Sequence, residues 1–252
     1  MNRSLFPLPA LAVTALGATA LALPAVAQGP LPPPPIPPQN PQTAEKAVLG
    51  KMLFWDEQLS SDGTMACGTC HMPGHGGSDP RAGGPALNPG PDGVFLTPDD
   101  IFGSPAMHGS NSFGHFVEDA EYGFDAKATD RYAPSMVAAA YFPELFWDGR
   151  ATSTFINPET GQVSIPSGGA LESQAVGPIL SFVEMADEGR TWADVRGKLE
   201  QVQPLALAAN LNPDLVAALA VNPSYPDLFN NAFGDPAITA ERIGFALATY
   251  QR

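Results

Sequence analysis

The sequence is poor in cysteine, in histidine and in positive charge. Its 252 residues include two cysteines, four histidines and 12 lysine and arginine residues, against 26 aspartate and glutamate residues, and the formal net charge is −14. Because a surface of this sign repels phosphate groups, the composition disfavours nucleic acids and anionic membranes as partners and suits a basic protein partner. A zinc site would need further cysteine or histidine ligands at finger-like spacing, and the chain has no second cysteine pair.

Long apolar runs are also scarce, and the one present lies at the N-terminus. Residues 5–26 form an apolar stretch that follows a basic start at Arg3 and is broken by prolines. Residues 25–27, Ala-Val-Ala, give a small-x-small cleavage site. We therefore predict that residues 1–27 are a signal peptide rather than a membrane anchor, that no later stretch spans a bilayer, and that the mature protein is periplasmic.

Glycine and proline are abundant instead, with 25 and 28 residues respectively, which predicts long ordered loops. Residues 28–41 contain four consecutive prolines and are predicted to be a polyproline-type linker. Residues 151–170 are predicted to be a surface excursion with a turn at 157–161.

The fold class predicted from hydrophobic spacing is mainly α with long ordered loops, without a repeat or a convincing strand ladder. Thr239 is predicted to cap the last helix, with Arg242 as its third residue. The segments with helical spacing are 43–53, 135–142, 191–201, 213–220, 226–233 and 238–252.

The most informative motif is Cys67-Gly68-Thr69-Cys70-His71. Two cysteines three apart with histidine directly after them are typical of c-type haem attachment, in which each thiol adds to one haem vinyl group and the imidazole binds the iron. A redox pair would favour a βαβ context, which this glycine- and proline-rich region lacks. A plain disulfide would leave His71 unexplained. The motif therefore predicts one covalently bound haem c.

The residues around this motif resemble the bacterial di-haem cytochrome c peroxidases, a family that includes the MauG-like methylamine-utilisation enzyme that matures a tryptophan-derived quinone. The resemblance starts near residue 45 and continues to the end of the chain. The segments that carry it, in the family's order, are 49–56, 59–64, 67–71, 133–136, 145–151 (LFWDGRA), 174–179 and 184–185.

The resemblance implies that residues 42–252 form a cytochrome c-like domain holding the peroxide-reactive haem, with His71 as the proximal ligand. Glu184 matches the family's distal carboxylate and Gln174 its distal amide. Such a carboxylate can move a proton between the peroxide oxygens, and the amide can orient the peroxide. Trp147 matches the tryptophan between the two haems, and we expect it to be a core residue.

The resemblance also suggests a removable sixth ligand. In the peroxidase branch a loop histidine binds the distal face of this haem until reduction releases it, and residues 112–115 resemble that segment. His115 is therefore the expected ligand, with a surface loop histidine as the alternative. His108, Met72 and Met107 are weaker candidates.

Two departures from the family pattern stand out. Tyr132 occupies the place of an asparagine that helps to bind calcium, and a phenol is a poor substitute for a carbonyl, so calcium binding is in doubt. A second haem-attachment motif is absent, so we expect a longer protein whose further domain carries the second haem. We also expect the last helix to expose apolar residues and to cause self-association, for example as a homodimer; these are Ile243, Phe245, Ala246, Ala248 and Tyr250.

The activity implied by the resemblance is reduction of hydrogen peroxide to water with electrons from a small periplasmic donor, a cytochrome c or a cupredoxin. A MauG-like oxidase acting on a protein or small molecule is the enzymatic alternative. A mono-haem electron carrier is the alternative from another class. A carrier keeps both axial positions of the iron filled, whereas an enzyme must open one.

Overall fold

The computed structural model describes residues 31–111, 115–129 and 131–252. The predicted signal peptide, 1–27, lies outside these residues. The chain divides into two units, residues 1–33 and 34–252, and the fold described below is that of the second unit. Within the described ranges, no helix combines the length and apolar character needed to cross a membrane.

The second unit is mainly helical with little sheet, as the spacing predicts. The helices are α1 (Ala44–Trp55), α2 (Cys67–Cys70), α3 (Ala170–Val176), α4 (Trp192–Leu199), α5 (Pro213–Val221), α6 (Tyr225–Phe233) and α7 (Ala240–Gln251). The strands are β1 (Pro105–His108), β2 (Ala126–Ala128), β3 (Phe155–Ile156) and β4 (Val163–Ile165). β1 pairs with β2 and β3 with β4, both antiparallel, and hydrophobic spacing did not predict either pair.

Helices α1 and α7 form the centre of the core. The Thr43 hydroxyl caps α1 by accepting from the Lys46 amide at 3.2 Å. The Thr239 hydroxyl caps α7 by accepting from the Arg242 amide at 3.2 Å, as predicted. At Gly50 the two backbones meet, since a Cβ there would lie 1.9 Å from the carbonyl oxygen of Ala246. Only glycine permits this contact.

The expectation that α7 exposes an apolar face is wrong. Ile243, Ala246 and Ala248 are each at most 1% exposed, because this face packs on α1 and α3. The Tyr250 hydroxyl accepts from the indole nitrogen of Trp55 at 3.0 Å. The reason given for self-association through α7 is therefore removed.

The end of the predicted linker, 28–41, packs on the folded body. Asn40 is fully buried and donates from its side chain to Glu172 at 2.9 Å and to the Phe245 carbonyl at 3.0 Å. Glu172 also forms a buried ion pair with Arg252 at 2.7 Å. This network joins the segment before α1 to α3 and to the end of α7.

Two further segments differ from the predictions. The segment 135–142 contains only a short 3-10 turn at Ala139–Tyr141, because hydrogen bonds to residues 76 and 77 hold its first residues in a non-helical path. The excursion 151–170 has the predicted turn, in which the Gly161 amide donates to the Asn157 carbonyl at 2.8 Å. It also forms the β3–β4 pair, whose residues Phe155 and Ile165 are buried in the core.

Candidate haem-binding site

Helix α2 presents the two cysteines. Cys67 and Cys70 are both free thiols, and their spacing on one helical turn places them on the same side. α2 lies against α1 so closely that a Cβ on Gly68 would be 2.4 Å from the Trp55 ring. The Cys70 thiol donates to the Pro105 carbonyl of β1 at 3.4 Å.

Both cysteines favour the protonated thiol over the thiolate in this environment. Burial raises the pKa of Cys67 to about 12 and that of Cys70 to about 11. A thiol–disulfide oxidoreductase depends on a lowered cysteine pKa, so this environment argues against the redox alternative. Among the described residues, no three or more His, Cys, Asp or Glu side chains cluster in a way that would hold a metal ion.

The imidazole of His71 is oriented by a backbone carbonyl. Its Nδ1 lies 3.0 Å from the carbonyl oxygen of Gly77, and since a carbonyl can only accept, Nδ1 carries the proton. Nε2 is then the unprotonated nitrogen, the form that binds a metal. Gly77 has φ +71°, and a Cβ there would lie 2.8 Å from Met136, so glycine is required where the carbonyl is presented. Two free thiols on one turn and an oriented imidazole fit a covalent haem c.

The structure brings Glu184 towards this haem-attachment helix. Glu184 lies in the turn 181–186, where its amide donates to the Ser181 carbonyl at 3.0 Å. Burial raises the pKa of its carboxyl group, and the Ser181 hydroxyl and the charges of His71 and Arg150 oppose that rise. The Glu184 charge in turn contributes to the raised pKa of both thiols. The Met107 amide of β1 donates to the Glu184 carbonyl at 3.2 Å, so the strand that accepts from the Cys70 thiol also holds the Glu184 backbone.

Gln174 lies in the last turn of α3 and is half-buried. Its carbonyl accepts from the Gly177 amide at 3.1 Å, which starts the 3-10 turn Pro178–Leu180 that leads to Glu184. Within the described ranges, the Gln174 side chain forms no hydrogen bond with Glu184 or His71. The chain thus places the amide one short turn before the carboxylate, and its catalytic role stays a prediction.

Trp147 is not a core residue, in contrast to the sequence-based expectation, because its side chain is 80% exposed. Phe146 has φ +68°, and the Gly149 amide donates to the Phe146 carbonyl at 3.2 Å. This tight turn directs Trp147 outward. The guanidinium of Arg131 lies 5.8 Å from its ring.

Arg150, in the same motif, is a site residue that the sequence reasoning missed. Its guanidinium lies 3.5 Å from the centre of the Phe146 ring and pairs with Asp148 at 3.0 Å. Its positive charge lowers the pKa of Glu184. The motif LFWDGRA contains the arginine, but nothing in its spacing indicates a carboxylate 34 residues later.

His115 is exposed and its role as sixth ligand stays a prediction. Its amide donates to the Asn111 side chain at 3.1 Å, and its carbonyl accepts from the Asn111 amide at 3.0 Å. The alternative His108 packs edge-on against Phe116 with ring centres 5.1 Å apart, and no partner for its buried Nδ1 lies within the described ranges. Met107 is fully buried in the core.

The hydroxyl of Tyr132 is also buried without a hydrogen bond to any described residue.

Comparison with known proteins identifies one family. The family described as di-haem cytochrome c peroxidase matches residues 44–252. The chain is 30% identical over 213 residues to the methylamine utilization protein MauG of Methylophilus methylotrophus, covering 84% of this chain and 41% of that protein. It is 31% identical over 224 residues to the cytochrome-c peroxidase IdrP1 of Pseudomonas sp. strain SCT, covering 88% of this chain and 38% of that protein.

A solved structure is also similar. It is a MauG-like protein associated with microbial copper homeostasis, with 22% identity, a TM-score of 0.46, and coverage of 93% of this chain and 46% of that one. The chain spans about two fifths of the length of the two relatives named above.

Proposed function

Since the chain belongs to the di-haem cytochrome c peroxidase family, we propose that residues 42–252 are a cytochrome c-like haem domain that reduces hydrogen peroxide to water. The electrons come from a small periplasmic redox protein, a cytochrome c or a cupredoxin. The observation that carries this proposal is that β1 joins Glu184 to the haem-attachment helix, since its Met107 amide donates to the Glu184 carbonyl at 3.2 Å and its Pro105 carbonyl accepts from the Cys70 thiol at 3.4 Å.

Three residues hold the cofactor in this proposal. Cys67 and Cys70 would form the thioether bonds to haem c, and His71 would bind its iron through Nε2. A haem held here supplies a site that binds peroxide and passes electrons to it. The hydrogen bond from Nδ1 to Gly77 fixes the tautomer and the ring plane, which raises the basicity of the nitrogen that binds the metal.

Glu184 acts on the protons. Splitting the O–O bond requires a proton to leave one peroxide oxygen and to arrive on the other, which then departs as water. A carboxylate can accept this proton from one peroxide oxygen and deliver it to the departing oxygen. Burial raises the pKa of Glu184. The carboxylate is therefore a stronger base than that of an exposed glutamate, which suits the accepting half of this transfer. The Gln174 amide orients the peroxide and stabilises charge on the departing oxygen.

Trp147 serves electron transfer in the proposal. Peroxide reduction consumes two electrons, and the matched family is described as di-haem, so a second haem is a source for one of them. An indole exposed at the tip of a tight turn can contact a group outside the described unit. The second candidate function is that of a substrate oxidase, for which the same exposed indole could pass electrons. It is considered because relatives named methylamine utilization protein are 30% identical to the chain.

The experiment that tests the proposal combines mass and spectra. We expect the mature protein, expressed with haem-attachment machinery, to gain the mass of one haem per attachment motif after denaturation. Absorption and spin-resonance spectra in both oxidation states should show that one axial position opens on reduction. A protein with both axial positions filled in each state, and without peroxide turnover, would instead be an electron carrier.

A further inference from the structure

The turn that carries Glu184 has an unusual set of partners. Residues 179–185 begin within the short 3-10 turn Pro178–Leu180. Most of their carbonyl groups accept hydrogen bonds, either from later amides of the same segment or from groups outside it. The Ser181 carbonyl accepts from the amides of residues 184, 185 and 186. The Glu184 carbonyl accepts from the Met107 amide of β1 at 3.2 Å. The carbonyls of residues 179, 182 and 185 accept from two cations, and that of residue 185 also accepts from the Ser61 amide at 2.9 Å.

The first cation is Lys127 in β2. Its side chain is fully buried, and its ammonium donates to the Phe182 carbonyl at 3.1 Å while lying 3.1 Å from the centre of the Phe182 ring. Among the described residues, no carboxylate is close enough to form an ion pair with it. A lysine that is buried without an ion pair is rare, because its charge loses hydration.

The second cation is Arg190, which follows the turn in the chain. Its Nη1 donates to the Ile179 carbonyl at 3.0 Å and to the Met185 carbonyl at 3.1 Å. One guanidinium nitrogen thus connects the two ends of the segment. Arg190 also forms no ion pair within the described part of the chain, although Asp187 and Asp194 lie near enough to influence it electrostatically.

We propose that Lys127 and Arg190 are positioning residues for Glu184, and that they fix its carboxyl group by binding backbone carbonyls before and after it in the turn. Hydrogen bonds from charged donors are about twice as strong as those from neutral donors, so they suit a segment with little regular structure. The hydrogen bonds of both cations to this segment go to backbone carbonyls, so both act through the backbone. The inference rests on the proposed function for the catalytic task of Glu184.

The test uses the haem-loaded protein and the substitutions Lys127→Met and Arg190→Met. Each removes the donor and the charge while keeping an unbranched side chain. We expect amide hydrogen exchange in residues 181–186 to rise roughly tenfold or more, since local opening is no longer opposed by the lost hydrogen bonds. Lys46→Met is the matched control, because Lys46 is also buried but donates to Asn40 and Pro41.

Turnover supplies a second readout that loss of structure alone would not reproduce. A misplaced carboxylate lowers the catalytic rate by up to about 100-fold, so kcat should fall in both variants with little change in KM. Arg190→Lys and Lys127→Arg, which keep a cationic donor, should restore part of the rate. In the Glu184→Gln background, Lys127→Met should have almost no further effect, because it acts through the missing group.

The outcomes separate this inference from the proposed function. Unchanged exchange in residues 181–186, or an undiminished rate loss from Lys127→Met in the Glu184→Gln background, would overturn the positioning role. Wild-type turnover in Glu184→Gln, together with raised exchange in Lys127→Met, would overturn the function of Glu184 and leave the anchoring of the turn supported. Exchange of α1 and α7 amides should stay unchanged in Lys127→Met and Arg190→Met, which shows that the fold is intact.

Discussion

At the residue scale, Glu184 provides the sharpest test. Glu184→Gln keeps the size of the side chain and removes the base, so peroxide turnover should fall by roughly 10²–10⁴-fold if the carboxylate moves a proton. The measurement is steady-state turnover with a periplasmic-type donor. Glu188→Gln is the matched control, since Glu188 is an exposed carboxylate four residues later. Equal rates in the two variants would contradict the assignment.

The pH dependence of the rate follows from the raised pKa of Glu184. Its base form is lost as the pH falls through this raised value, so the acidic limb of the peroxide reaction should lie at a higher pH than that of an ordinary glutamate. Removing the positive charge by Arg150→Gln should move the limb to still higher pH, because Arg150 lowers the pKa. Stopped-flow rates between acidic and neutral pH measure both effects. A limb that Arg150→Gln leaves in place would argue against this assignment.

His115 can be tested by spectroscopy. If it is the removable sixth ligand, His115→Gly should convert a low-spin ferric haem to high-spin and allow peroxide to react without prior reduction. His75→Gly is the control, because His75 is also an exposed histidine in this region. A spectrum that stays low-spin would contradict this role for His115. The next candidate for the sixth ligand is His108, whose buried Nδ1 has no hydrogen-bond partner among the described residues.

Individual residues were predictable only where chemistry fixes their spacing. Cys67, Cys70 and His71 follow from the covalent requirements of haem attachment, and the structure adds the tautomer of His71. Lys127 and Arg190 could not be predicted, because they bind carbonyl groups and no side-chain pattern marks a carbonyl. The exposure of Trp147 could not be predicted either, since it depends on the positive φ of Phe146.

At the element scale, the contact between α1 and α7 depends on Gly50. Gly50→Ala would place a methyl group on the Ala246 carbonyl, so the helices must move apart and the free energy of unfolding should fall by about 3 kcal/mol. Gly197→Ala in α4 is the control, because a Cβ there meets no atom within 4 Å. That change should stabilise the protein by up to about 1 kcal/mol. Chemical denaturation of the two variants gives the comparison, and equal stabilities would refute the close contact.

Helices with a side-chain cap were predicted well, while short elements held by distant contacts were not. The Thr239 hydroxyl caps α7 as the sequence predicted, and the predicted segment 191–201 begins at Thr191, whose hydroxyl caps α4 in the structure. The segment 135–142 has helical spacing, but its hydrogen bonds to residues 76 and 77 prevail over that local preference. The β3–β4 pair contains two and three residues, too few for an alternating pattern to be recognised.

At the scale of the whole molecule, the net charge of −14 determines which donor can approach quickly. We expect the rate of reduction by a basic cytochrome c to fall as ionic strength rises, because salt screens the attraction beyond about 10 Å at 0.1 M. An acidic donor should show the opposite trend. Stopped-flow reduction at several salt concentrations measures this dependence. A rate with a basic donor that does not change with salt would exclude electrostatic steering.

The packing of α1 on α7 has a consequence for the order of events during biogenesis. The haem-attachment helix lies against α1, and α1 completes its core contacts only with a helix almost 200 residues later in the chain. If the predicted signal peptide exports the chain, the cysteines reach the periplasm well before the partner of α1 does. We expect this delay to leave the thiols open to the attachment machinery while the chain is still unfolded. Pulse-labelling with a thiol reagent during translocation should show accessible cysteines until α7 has emerged.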